Sequence, residues 1–148
     1  MSKFFVTVNH VPILTEFHLA GSQVDTLIKR ELPSAQQIYL WDNDYYIVSL
    51  EDWGKVFQDV LLNMPKYTAE KYDCENAAML ATARVNEKYQ LNTCGIAIGA
   101  SPFGEHGYNV FVAMVNDRVQ CYILEPQNGL VYDAKEDSGY LPRLIIMG

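Results

Sequence analysis

A two-residue turn between two apolar runs constrains the fold of this chain more than any other feature. Asn116-Asp117 separates residues 108–115 from residues 118–124, and both runs are rich in β-branched and aromatic side chains. Short turns built from Asn and Asp between two such runs are typical of β-hairpins. The sequence therefore predicts a hairpin in which Val115 pairs with Arg118.

This register brings two reactive side chains to one face of the hairpin. With Val115 opposite Arg118, His106 and Glu125 become diagonal neighbours, because side chains alternate between the two faces of a strand. Diagonal neighbours have backbones about 7–8 Å apart, which an imidazole and a glutamate can span. A slip of one residue would place the two side chains on opposite faces. The turn thus predicts a hydrogen bond between His106 and Glu125.

The remaining pattern predicts an α+β domain with helices packed on an antiparallel sheet. Apolar residues at helical spacing, together with capping residues and prolines, predict helices over 22–31, 49–64 and 73–89. Further strands are expected over 4–8, 37–41, 45–48, 94–98, 130–132 and 144–147. We expect one domain over 1–148, with an N-terminal αβ part in 1–66 and the Cys-helix plus antiparallel sheet in 67–148.

Cys74 lies at the predicted start of the third helix, with Asp73 as the N-cap. The partial positive charge of a helix N-terminus lowers the pKa of a thiol, and a nearby imidazolium lowers it further. A nucleophilic Cys74, a proton-transferring His106 and an orienting Glu125 would form a triad. The backbone N–H of Cys74 would stabilise an oxyanion, and Gln127 is a candidate second donor because the hairpin register places it beside His106.

Three segments carry a resemblance to a known group of proteins: Tyr72-Asp73-Cys74-Glu75-Asn76-Ala77, Glu105-His106-Gly107-Tyr108-Asn109 and Leu124-Glu125-Pro126-Gln127. They resemble the papain-like and transglutaminase-like cysteine hydrolase superfamily, nearest to the C-terminal cysteine-protease domain of fungal chimeric lectins. The resemblance covers roughly residues 65–132. It implies a papain-like α+β fold with the catalytic cysteine at a helix N-terminus.

The implied function is that of a cysteine hydrolase or acyltransferase acting on an amide bond, as in a peptidase, deamidase or transglutaminase-like enzyme. Cys74, His106 and Glu125 match the thiol, the histidine base and the orienting glutamate, and a protein or peptide would be the substrate. The alternative is a non-catalytic protein-binding module or inhibitor with a degenerate cleft. No cofactor is expected, although the lectin-linked members leave a divalent cation such as calcium open.

Composition limits the other classes of partner and location. The net charge of −7 argues against a nucleic-acid backbone as partner. No apolar run reaches the length of about 18–20 residues that a membrane-spanning helix needs. The odd number of three cysteines and the absence of a signal peptide favour reduced thiols in the cytoplasm, with Cys94 and Cys121 in the core. The oligomeric state stays open.

Overall fold

The computed structural model describes residues 14–148, so the strand expected over 4–8 lies outside the described residues. Three helices and eight strands follow one another along residues 14–148. In chain order they are β1 (Phe17–Ala20), α1 (Gly21–Glu31), β2 (Gln37–Leu40), β3 (Asp44–Ser49), α2 (Leu50–Val60), α3 (Cys74–Tyr89), β4 (Cys94–Ser101), β5 (Gly104–Val115), β6 (Arg118–Glu125), β7 (Leu130–Asp133) and β8 (Leu141–Met147).

The eight strands form one mixed sheet. Six of them follow the order β1-β3-β5-β4-β8-β2, and β6 joins β5 and carries β7. β2 pairs with β8 in parallel, and β3 pairs with β5 in parallel, whereas the other pairs are antiparallel. The expected antiparallel sheet is therefore wrong. The residues between β2 and β3 do not close a hairpin, because both strands pair with strands far later in the chain.

Helices cover both faces of this sheet. On one face α1 contributes Val24, Leu27 and Ile28 to a core with Tyr108 and Ile145. On the other face α2 contributes most of the helical residues of a second core, including Trp53, and α3 contributes Val85. Strands also hold more residues than helices. The expected papain-like layer of helices on an antiparallel sheet is wrong, because sequence periodicity shows which residues a helix buries but not on which side of the sheet it lies.

The β5–β6 hairpin has the register that the turn predicts. Val115 pairs with Arg118, and the ladder continues to the pair Asn109 and Leu124. Asn116 and Asp117 have φ angles of 49° and 61°, the left-handed values that a tight two-residue hairpin turn requires. The prediction from the turn is confirmed.

Local capping determines where α2 begins. The Ser49 hydroxyl accepts a hydrogen bond from the backbone N–H of Asp52 at 3.1 Å, which confirms the expected capping of this helix. The helix nevertheless ends at Val60 and does not extend to Pro65. None of the helices in residues 14–148 is long and apolar enough to cross a membrane.

Asn109 ties α3 to the sheet. The two N–H groups of its buried side-chain amide are shared among three acceptors: the carbonyl oxygen of Ala78 at 2.9 Å, Thr82 Oγ1 at 3.0 Å and the carbonyl oxygen of Gly95 at 3.1 Å. One side chain on β5 thus contacts the middle of α3 and the neighbouring strand β4. Buried polar groups in such a position are stabilising only while their partners are in place.

We expect Asn109→Ala to lower the free energy of unfolding by about 2 kcal/mol, because it removes an amide with two N–H donors, each making a hydrogen bond worth about 1 kcal/mol. Urea unfolding followed by far-UV circular dichroism measures this loss. Gln37→Ala, which truncates an exposed amide on β2, is the control and should change stability by less than about 0.5 kcal/mol. Equal losses in the two variants would contradict the role given to Asn109.

Candidate functional site

A buried carboxylate holds His106 at the open end of the β5–β6 hairpin. His106 lies beyond the last pair of the ladder, and its Nε2 is 2.7 Å from Glu125 Oε2. The two side chains are 10% and 2% exposed. Tyr140 donates its hydroxyl to the same oxygen at 3.0 Å, and the backbone N–H of Gln127 donates to Oε1 at 3.2 Å. The carboxylate therefore has a partner at each oxygen, and it fixes the orientation of the imidazole.

The pKa of Tyr140 is raised, first by burial and then by the adjacent Glu125 carboxylate. The phenol therefore stays protonated and remains a hydrogen-bond donor to Glu125 throughout the physiological range.

Cys74 is the first residue of α3. It contacts Gly107, the residue that follows His106 on β5. The Cys74 Sγ accepts a hydrogen bond from the backbone N–H of Gly107 at 3.3 Å, and the thiol donates to Glu75 Oε2 at 3.2 Å. Burial raises the pKa of the thiol, and the Glu75 carboxylate raises it further, while the Gly107 N–H acts in the opposite direction. The thiol is therefore protonated at neutral pH, contrary to the activation that the helix start predicted.

The start of α3 packs directly on β5 at Gly107. A Cβ at this position would lie 2.7 Å from Glu75 Cα and 2.9 Å from Glu75 N, so only glycine allows this approach. The backbone N–H of Asp73 donates to Asn76 Oδ1 at 3.1 Å, which gives one backbone donor at the helix start a side-chain partner. The orientation of Cys74 and Glu75 thus depends on the small residue opposite them.

The structure brings three of the four expected site residues together and leaves the fourth at the edge. Cys74 contacts Gly107, the residue after His106, and Glu125 contacts His106, although no hydrogen bond joins the thiol to the imidazole within residues 14–148. Gln127 is exposed, and its contact with Glu125 is made by the backbone. We call Cys74, Glu75, His106, Gly107, Glu125 and Tyr140 the His106 cluster.

Sequence reasoning missed two members of this surface. Tyr140 lies in an irregular segment just before β8, where no pattern indicates a contact with Glu125. Phe103, in the tight turn before β5, is 74% exposed, and its ring centroid is 6.0 Å from that of His106. The one signal for Phe103 in the sequence was its position, since an aromatic residue precedes the motif histidine by three residues.

A hydrophobic and charged rim surrounds the cluster. Leu141, at the start of β8, is 59% exposed and pairs with Ala100 of β4, just before the turn that holds Phe103. Arg143 donates to Glu105 at 2.6 Å in an exposed ion pair. Among residues 14–148, no three His, Cys, Asp or Glu side chains are grouped so as to hold a metal ion. The divalent cation that the resemblance leaves open, such as calcium, stays a prediction.

Comparisons with known proteins identify the family. The model of the ricin-type beta-trefoil lectin C-terminal domain matches residues 21–147. The match covers most of the chain, and the chain belongs to this family. A search of curated proteins finds no significant match.

Two solved structures are similar to this chain. One is a PSL1a–E64 complex, with a TM-score of 0.69 and 25% identity, covering 87% of this chain and 51% of that one. The other is the Polyporus squamosus lectin bound to the human-type influenza-binding epitope Neu5Aca2-6Galb1-4GlcNAc, with a TM-score of 0.65 and 25% identity, covering 87% of this chain and 49% of that one. The chain therefore spans about half the length of both.

These findings overturn the hydrolase assignment. The family match and the similar Polyporus squamosus lectin point to lectins, so the resemblance to papain-like and transglutaminase-like cysteine hydrolases, and to a cysteine-protease domain, is wrong. The expected thiol protease activity, and the description of the chain as an enzyme, are wrong with it. One neighbour is bound to a glycan, and nothing supports a protein or peptide substrate. The error arose because the order Cys, His and Glu along the chain predicts only that the three side chains lie close together. Whether the thiol is activated depends on what raises or lowers its pKa, and the Glu75 carboxylate raises it.

We expect iodoacetamide to modify Cys74 slowly at pH 7 and faster above the usual range of thiol titration, because the thiolate is the reactive form and its pKa is raised. Cys94 and Cys121 should stay unmodified until the protein unfolds, since burial raises the pKa of Cys94 to about 12 and that of Cys121 as well. Mass spectrometry of the labelled peptides against pH measures both rates.

Glu75→Gln removes the negative charge beside the thiol and should raise the rate of Cys74 modification severalfold at pH 8. Glu87→Gln, at an exposed position near the other end of α3, is the charge-matched control and should leave the rate unchanged. Rapid modification of wild-type Cys74 at pH 6 would show an activated thiol and contradict this description of the site.

Gly107→Ala should lower the free energy of unfolding by about 2 kcal/mol, because the new methyl group overlaps the backbone of Glu75. Gly54→Ala is the matched control, since a Cβ there meets nothing within 4 Å. An alanine inside α2 should instead stabilise the protein by about 1 kcal/mol. Urea unfolding of both variants measures the difference, and equal stabilities would contradict the close packing at Gly107.

Proposed function

We propose that this chain is a carbohydrate-binding module of lectin type, with the His106 cluster and Phe103 as its binding surface. The observation that carries the proposal is the family match over residues 21–147. It is supported by the glycan bound to the similar Polyporus squamosus lectin, of which the chain covers 49%. The function is recognition of a saccharide and involves no covalent step.

The chemistry of the surface supports this role. A saccharide presents apolar C–H faces together with hydroxyl groups that both donate and accept hydrogen bonds. Phe103 offers an exposed ring for the apolar face, and its neighbour His106 offers an imidazole whose orientation Glu125 fixes. Binding sites of this kind need few polar groups, provided that each is held in place before the ligand arrives.

The four residues expected from the sequence keep a place in the proposal, as parts of a binding surface. His106 contacts the ligand, and Glu125 positions His106. Cys74 contributes packing between α3 and β5 through its contact with Gly107. Gln127, exposed next to Glu125, offers an amide to a sugar hydroxyl at the edge of the surface.

Charge favours a neutral ligand at this surface. The Glu75 carboxylate interacts electrostatically with His106, Asp73 lies next to Glu75 at the start of α3, and Arg143 pairs with Glu105. A negatively charged sugar would be repelled by the remaining carboxylates, whereas the hydroxyls of a neutral sugar can donate to them. The neutral disaccharide Galβ1-4GlcNAc is therefore a suitable probe.

Phe103→Ala should weaken the binding of Galβ1-4GlcNAc by about tenfold, because it removes the aromatic ring while leaving the exposed backbone turn intact. Isothermal titration calorimetry measures the dissociation constant. Tyr39→Ala is the matched control, since Tyr39 is an aromatic residue of β2 that is 50% exposed and far along the sheet from β5.

The titration is repeated with EDTA and with calcium. We expect the same affinity in both, because the residues of 14–148 offer no group of three metal ligands. Failure of the wild-type protein to bind any neutral saccharide, or equal binding by the Phe103→Ala variant, would overturn the proposed surface.

A further inference from the structure

A second polar surface lies along α1, on the face of the sheet away from α3. A cavity of about 470 Å³ is bordered by Arg30, Arg118, Gln120 and Lys135, among others. A neighbouring cavity of about 340 Å³ continues past Ser22 and Gln23, and the two cavities share Arg30 and Val119. We call these six polar residues the α1 groove. Both cavities are within the size range of ligand sites in proteins.

Positive charge is concentrated here in an acidic protein. The chain has 11 Lys and Arg residues against 18 Asp and Glu residues, and three of the 11 border the larger cavity. Within residues 14–148, neither Arg118 nor Lys135 forms an ion pair. Two unpaired cations facing one cavity can attract an anion without first breaking a salt bridge.

The buried carboxylate beneath the groove does not cancel this charge. The Glu31 side chain is 4% exposed, its Oε1 accepts from the backbone N–H of Cys121 at 2.9 Å, and its Oε2 accepts from Arg30 Nη2 at 3.0 Å. Glu31 thus serves to anchor α1 to β6 and to hold Arg30 at the border of the cavity. Asp117, in the hairpin turn, is the other carboxylate at the cavity.

Neutral donors extend the groove beyond the cations. Gln23 accepts from the backbone N–H of Ala20 through Oε1 at 2.8 Å, and Gln120 accepts from the Tyr122 hydroxyl through Oε1 at 2.9 Å. Each amide therefore keeps its NH₂ group to donate to a ligand. Gln23 and Arg30 are seven residues apart on α1, which corresponds to about 10 Å along the helix. The groove is long enough for a ligand of more than one ring.

We propose that the α1 groove binds an acidic oligosaccharide, with the carboxylate of its charged sugar at Arg118 and Lys135 and its neutral hydroxyls along Gln120, Gln23 and Ser22. This inference rests on the proposed function in taking a saccharide as the ligand, but it concerns a different surface. The two surfaces differ in charge, so the groove accepts the acidic ligand that the carboxylates around His106 repel.

The test compares three probes in calorimetric titrations: Neu5Acα2-6Galβ1-4GlcNAc, its neutral core Galβ1-4GlcNAc, and sodium sulfate. The double variant Arg118→Ala/Lys135→Ala should bind the acidic trisaccharide about tenfold more weakly than the wild type, and should bind the neutral core equally well. The wild-type affinity for the trisaccharide should also fall as salt is raised from low to physiological ionic strength. Arg30 is left in place because Glu31 would otherwise lose its partner.

The control double variant Lys55→Ala/Lys66→Ala changes the net charge equally at two exposed positions outside the groove and should bind the trisaccharide as the wild type does. Unchanged trisaccharide binding by the groove variant, or an equal loss in the control, would overturn the proposal. Sulfate binding as tight as that of the trisaccharide would show a simple anion site and overturn the assignment to an oligosaccharide.

The two proposals fail separately. Loss of neutral-core binding in Phe103→Ala with intact trisaccharide binding supports both surfaces. Trisaccharide binding that depends on Arg118 and Lys135 supports the groove even when no neutral saccharide binds, and that outcome removes only the surface at His106.

Discussion

The pairing of β5 with β6 is the constraint on which the rest of the molecule depends. The left-handed backbone of Asn116 and Asp117 closes the turn, and the register that follows places alternate β5 residues in the two cores on either face of the sheet. The same register leaves His106 just past the last pair, where the end of β6 brings Glu125 to it. A shift of one residue would exchange the two cores and separate the histidine from its carboxylate, so stability and the site have a common origin.

The features that sequence could predict are those set by neighbouring residues. The hairpin register follows from a two-residue turn, and the start of α2 follows from the Ser49 cap. The pairing of β2 with β8 and of β3 with β5 has no local signal, because these partners lie more than 60 residues apart in the chain. Those pairings set the face of the sheet on which α1 packs. The sequence between β2 and β3 would also suit a hairpin, but these two strands do not pair with each other. For the same reason Tyr140 could not be assigned to Glu125.

The hydrolase prediction shows how far residue order can be trusted. Cys74, His106 and Glu125 are near one another, as the helix start and the hairpin suggested, yet proximity does not determine what the thiol does. Burial and the Glu75 carboxylate raise its pKa, and the Gly107 N–H that would stabilise a thiolate does not outweigh them. The family match then assigns the chain to the ricin-type beta-trefoil lectin C-terminal domain family. A fixed imidazole beside an exposed aromatic ring serves recognition as readily as it serves proton transfer.

The central claim is that the His106 cluster is a surface for binding saccharides, and its most direct test is a two-dimensional ¹⁵N NMR titration of the labelled protein with Galβ1-4GlcNAc. The account predicts saturable shifts of the backbone amides of Phe103, His106 and Gly107, with Tyr39 on β2 unaffected. Shifts confined to residues far from β5, or a spectrum that does not change at millimolar disaccharide, would contradict it.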